Sequence, residues 1–409
     1  MRIGLLHYSA PPIVGGVETV LAKHADLMAG AGHEVTVIAG RGTSFDPRVT
    51  FHHVALVDSM HGKILSVKRE LDAGIVSPGF HSLVAEISSH LDPLLDGLDV
   101  LIAHNVCSLH KNLALTAALR RRLEKFARPA MIHWHHDFAW TTPRYQQELH
   151  NGFPWDLIRQ YWPGAFPVTV SNFRATELQS LLGKSTPHIR VIPNGVSVTQ
   201  LLGLNTRTIE LIHRLQLLNA SPLILLPVRI TPRKNIELAL SIAAELRQTF
   251  PNLKLLVTGP PGPHNPANQE YFARLLSLRD RLSLTQHVDF LFEVIDDYLP
   301  EDVIYGFFRL ADLLLLPSLE EGFGLPIIES SQVKLPIFCS DIPVLRELAG
   351  DEAHYFSPKA SPTDAAGMIT AYLKGNTEFQ LRARLRRFDW KRLYVEQIEP
   401  LLREAGRQQ

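Results

Sequence analysis

The sequence predicts an α/β protein built from two doubly wound, Rossmann-like domains that face a central cleft. Three observations carry this. Short apolar runs of strand length alternate with stretches of helical periodicity along the whole chain. The alternation is broken once, at Asn194-Gly195-Val196 and a polar stretch near 197–221. The length, 409 residues, exceeds one ordinary domain of about 150 residues. In such sheets ligands bind beyond the carboxyl ends of the strands, so the loops after strands are where chemistry is expected.

Ile3 to His7 is an apolar run long enough for a buried parallel strand. A loop with Gly15-Gly16 follows. Then Val17, Val20, Leu21, His24, Leu27 and Met28 recur at helical spacing, and Gly30 and Gly32 end that helix. Residues 33–40 form the next strand, which completes a βαβ unit. Strands follow at 100–104, 130–132, 167–171 and 189–193, with a helix over 110–126. After the break, strands are predicted at 223–228, 253–259, 288–291, 313–316 and 336–340, with a helix over 235–249.

Lys plus Arg and Asp plus Glu are 41 each, so the formal net charge is zero. That balance excludes a protein that grips nucleic acid through its overall field. With 45% hydrophobic and 20% charged residues the chain can pack a core. Cys107 and Cys339 alone cannot build a disulfide framework. The apolar start is too short for a signal peptide, and no run reaches 18 apolar residues. A cytoplasmic protein is expected, with peripheral membrane contact through a local patch left open.

Four stretches can carry chemistry. Gly15-Gly16, between strand and helix, reads as a tight turn or as a phosphate contact at a helix start. Residues 313–329 join a buried strand, a glycine loop and a helix opened at its first position by Pro326. Amides of Gly322, Phe323, Gly324 and Leu325 can surround an anion there. Glu321 and Glu329 suit sugar or ribose hydroxyls, although Glu329 also complements the helix dipole. Arg229 and Lys234 follow a strand and can converge on a diphosphate, or form a solvated basic turn. In the run His133, His135, His136, strand alternation puts the first two on one face and His136 on the other. No third metal ligand is apparent beside them.

Taken together, these motifs resemble those of family 4 glycosyltransferases. Gly15-Gly16-Val17-Glu18 resembles the family's early glycine motif, and 191–196 its interdomain signature. Arg229 with Lys234 resembles its Arg-x4-Lys pair, and 321–329 its E-x7-E motif. Phe388-Asp389-Trp390 resembles the start of its crossing C-terminal helix. The resemblance spans essentially the whole chain. Two features depart from it: Val228 stands where the family often has glycine, and residues 139–163 are unusually aromatic.

The resemblance implies a GT-B fold and a retaining, metal-independent transfer of a hexose from a nucleotide-diphosphate sugar, UDP- or GDP-linked. It implies an acceptor domain at 1–197, a donor domain at 198–386 and a returning helix at 387–409. Arg229 and Lys234 would neutralise the diphosphate. Gly15, Gly16 and 322–325 would support phosphate or sugar. Glu321 would hold sugar hydroxyls, and Glu329 the ribose. Backbone near Gly259 and in Phe292-Glu293-Val294 would meet the base. His136 is the first choice for the active-site histidine among the three. The acceptor is a small molecule, glycan or lipid-linked group, and Lys63, Lys68 and Arg69 are available to an anionic one. The competing readings are an epimerase or phosphorylase on the same fold, and a silent sugar-nucleotide-binding module.

Overall fold

The structure is a computed structural model and describes all residues except 184–187, 263–266, 296–298 and 408–409. The chain divides into two compact units. One is Met1–Val196 together with the segment from Phe388 onward, and the other is Ser197–Arg387.

The first unit is built on a seven-stranded sheet. Its strands are β1 (Arg2–Ser9), β2 (Glu34–Arg41), β3 (Val49–His53), β4 (Val100–His104), β5 (Ala130–His135), β6 (Ala165–Thr169) and β7 (Arg190–Val191). All neighbours are parallel, in the order β3-β2-β1-β4-β5-β6-β7. The order reverses between β1 and β4, so the loops leaving those strands lie side by side. Strand β3 lies outside the expected set. It is an edge strand, Val-Thr-Phe-His-His, half exposed and without the apolar run of a central strand.

The second unit has a six-stranded parallel sheet. It comprises β8 (Leu223–Leu226), β9 (Lys254–Val257), β10 (Val288–Phe290), β11 (Leu313–Leu316), β12 (Ile337–Ser340) and β13 (His354–Phe356), ordered β10-β9-β8-β11-β12-β13. Here the reversal falls between β8 and β11. Those strands read Leu-Ile-Leu-Leu and Leu-Leu-Leu-Leu, and both are fully buried. The polar stretch 197–221 is not a plain linker. It holds the helix Thr206–Arg214, whose only fully buried residues are Thr208, Leu211 and Ile212. So narrow a stripe leaves the segment polar in composition. Among the described residues no helix is long and apolar enough to cross a membrane.

The chain end belongs to the first unit. Asp389 accepts from the amides of Lys391 and Arg392 at 3.0 and 3.3 Å and so caps the returning helix. Trp390, Leu393, Tyr394, Ile398, Leu401 and Leu402 share one buried core with Ile3, Leu5, Val100, Ile102 and Ile132. The backbone of Val196 donates to Phe388 O at 2.8 Å and accepts from Trp390 N at 3.1 Å. A side chain at Gly195 would meet the Trp390 ring at 2.7 Å, so glycine is required for this approach. Trp390→Ala should destabilise the first unit by about 3 kcal/mol. All five tryptophans lie in this unit, so their fluorescence in urea reports it alone. A loss below about 1 kcal/mol would contradict the packing described.

Candidate active site

The reversal in the second sheet brings the loops after β8 and β11 together. Lys234 Nζ donates to both oxygens of Glu321, at 2.6 and 2.7 Å. Ser318 Oγ donates to the same carboxylate at 2.7 Å. Lys234 and Ser318 are buried, and the Glu321 side chain is only 6% exposed. Leu319 N donates to Arg233 O at 2.8 Å and laces the two loops. Arg229, by contrast, is exposed and has no hydrogen-bond or ion-pair partner among the described residues. The loop after β8 thus carries one free cation and, five residues on, one that is neutralised.

The glycine loop ends at Gly324, whose φ of 99° is left-handed, and a side chain there would press on Leu345 at 3.0 Å. The helix Leu325–Gln332 follows. Pro326 is therefore its second residue, not its first; the favoured φ and the missing N–H suit either place. A side chain at Gly322 would meet open space, while Phe323 and Leu325 are exposed. Glu329 is half-buried. Burial, then the nearby Glu301, raises its carboxyl above the usual range.

Gly259 ends the run after β9. A side chain there would lie 2.3 Å from Val228 O, so glycine lets the two loops pass. The Val294 carbonyl already accepts from Arg214 Nη1 at 2.6 Å.

In the first unit, the histidine run divides as strand alternation requires. His133 and His135 lie with rings 5.9 Å apart and line a small chamber with Cys107 and Trp162. His136 turns to the other side, where its Nε2 lies 3.3 Å from His104 Nδ1. His7 Nδ1 donates to the carbonyl of His104 at 2.8 Å. Glu18, in the first turn of the helix Gly16–Gly30, accepts from Ser9 Oγ at 2.5 Å. Its Oε1 is 3.8 Å from His7 Nε2. A side chain at Gly15 would strike this carboxylate at 2.1 Å, whereas Gly16 faces open space. Burial holds His136 down to about 3 and His7 to about 4, so both are neutral near pH 7.

Sequence reasoning missed His7, His104 and Asn105. The available signal was a histidine at the end of each of two candidate strands, 3–7 and 100–104. Of the aromatic segment, Trp155 and Trp162 are core. Arg159 covers the Trp140 ring at 3.9 Å. This packing accounts for those three rings. Lys63 pairs with Glu86 at 2.6 Å, and Lys68 with Asp72 and Glu148 at 2.7 Å each. Arg69 donates to Leu65 O. Among the described residues one carboxylate–imidazole cluster converges, Asp72, His110 and Glu148, and Lys68 already bonds both of its carboxylates.

Two family models match the chain. Glycosyltransferase Family 4 covers residues 14–200, and Glycosyl transferases group 1 covers 209–389. Mannosylglucosylglycerate synthase of Petrotoga mobilis is 26% identical over 85% of this chain and 84% of its own length. A serotype-specific mannosyltransferase, WbdA of Escherichia coli, is 31% identical over 54% of this chain but only 23% of its own length. Sucrose-phosphate synthase from Thermosynechococcus elongatus aligns over 100% of this chain and 98% of its own, at 16% identity and TM-score 0.36.

Proposed function

The chain belongs to the family 4 glycosyltransferases of GT-B fold, and from that premise we propose a retaining, metal-independent transfer of a hexose from a nucleotide-diphosphate sugar. One observation carries the reading: the loop after β8 holds the free Arg229 and the Lys234 that bonds Glu321 of the loop after β11, at the strand reversal of the second sheet. A relative named as a mannosyltransferase, and another named as mannosylglucosylglycerate synthase, favour mannose as the hexose.

Lys234 and Glu321 satisfy one another. Donor binding lets Lys234 turn part of its charge to the diphosphate, joined by the Arg229 fork. Glu321 keeps lone pairs for sugar hydroxyls. Amides of 322–325 and of Gly16 support the phosphates at helix starts. Glu329 accepts from ribose, and backbone near Gly259 and Val294 frames the base. His136, as a neutral imidazole, is assigned to the transferred sugar. When the bond from anomeric carbon to diphosphate oxygen breaks, the two cations stabilise the charge that develops on the leaving group. The acceptor oxygen attacks from the same face, and its proton passes to the departing phosphate oxygen. The acceptor is a hydroxylated small molecule, glycan or lipid-linked group.

The test is a panel of UDP-, GDP- and ADP-sugars with EDTA present, read by nucleotide-diphosphate release and by NMR of the product anomer. Turnover of one donor with retained configuration is expected. An inverted product, or loss of all turnover on chelation, would overturn the mechanism. Binding of a donor without turnover under any acceptor would instead favour a silent module.

A further inference from the structure

We infer that His104 and Asn105, where β4 ends, are positioning residues for His136: Asn105 pins the backbone that carries the imidazole, and His104 fixes its tautomer with the proton on Nδ1. The inference rests on the assignment of His136 to the transferred sugar.

Asn105 is buried and left-handed, with φ 58°. That conformation is uncommon outside glycine and best tolerated by Asn and Asp. Its backbone N–H donates to Trp134 O at 2.9 Å. Its Oδ1 accepts from the amides of His136 at 2.7 Å and Asp137 at 3.2 Å. One side chain thus satisfies two donors just past the end of β5, where the strand ladder has stopped.

His104 is wholly buried, and its Nε2 is sealed with no hydrogen-bond partner among the described residues. Its Nδ1 faces His136 Nε2 at 3.3 Å, so one of these two nitrogens carries the shared proton. If His136 Nε2 carried it, neutral His104 would hold its own proton on the sealed Nε2, with no acceptor. Orphaned buried N–H groups are rarer than under-used acceptors. The proton therefore sits on His104 Nδ1, which donates to His136 Nε2. Neutral His136 then carries its proton on Nδ1. In this state it offers substrate a hydrogen-bond donor and not a base.

The first measurement is two-bond ¹H–¹⁵N NMR of histidine-labelled free protein, with His136 assigned by difference against His136→Ala. An Nδ1–H pattern for His136 is expected, and an Nε2–H pattern overturns the inference. The second is hydrolysis of UDP-glucose and GDP-mannose by two variants. His104→Asn keeps an amide donor where Nδ1 stood, and His104→Gln moves it to the Nε2 position. His104→Asn should stay within about threefold of the parent kcat, and His104→Gln should fall by about 10–100-fold in kcat at unchanged donor KM. Equal activity of both variants overturns the positioning role while the reading of His136 stands. Full activity of His136→Ala removes that reading itself, and the inference with it.

Discussion

Lys234→Ala should lower glycosyl transfer by about 10³-fold, the loss expected when a preorganised charge is removed from a developing anion. The substitution also leaves the Glu321 carboxylate, 6% exposed, with Ser318 as its remaining side-chain donor. An uncompensated buried charge costs about 3–5 kcal/mol. Lost turnover could then reflect a weakened fold, and a double variant separates the two effects. Lys234→Ala with Glu321→Gln removes both charges, so urea stability should recover while turnover stays low. Arg229→Ala gives the converse result. Arg229 is exposed and has no protein partner among the described residues, so stability should hold while turnover falls. Transfer by Lys234→Ala within about tenfold of the parent would remove the diphosphate assignment.

Acid should unfold the first unit well before carboxylates are protonated. Burial holds His24, His133 and His136 down to about 3, His7 to about 4, and His104 and His135 well below the usual range. The sign follows directly. Each folded pKa lies below the unfolded value near 6.5, so the unfolded chain binds more protons as pH falls. The stability that neutral imidazoles allow is intact above pH 6.5. Each lost pH unit below that removes up to about 1.4 kcal/mol per histidine, until the folded pKa is reached. Six such groups amount to several kcal/mol by about pH 5, the size of a whole domain's stability. Tryptophan fluorescence in urea should show the midpoint falling steeply from pH 6.5 to 5. A flat profile over that range would mean that these histidines are hydrated or protonated in the folded protein.

Much of the architecture was legible because its central strands are buried on both faces and so read as unbroken apolar runs, as β8 and β11 do. The edge strand β3 and the helix Thr206–Arg214 were not, because each buries too little to leave a pattern. The site shows a similar division. Glycines and charges on loops after strands marked Arg229, Lys234, Glu321 and Gly324 individually. That Lys234 and Glu321 bond one another depends on β8 lying beside β11, which residue order does not state. The neighbourhood of His7, His104 and His136 likewise exists only because β1, β4 and β5 are adjacent in the sheet. Lys63, Lys68 and Arg69 looked available to an anion. Glu86, which pairs with Lys63, and Glu148, which pairs with Lys68, stand 23 and 80 residues away, too far for local pattern to reveal, although the i,i+4 spacing of Lys68 and Asp72 could have marked that pair.

The return of the chain to its first unit bears on how the molecule is made. During synthesis, residues 1–196 leave the ribosome without the apolar face of 390–405 that completes their core. The second unit is contiguous, Ser197–Arg387, and closes on residues of its own. The unit that comes first in this sequence is therefore the one completed last. A released chain truncated after Arg387 should hold a protease-resistant second unit and a first unit that is readily cut.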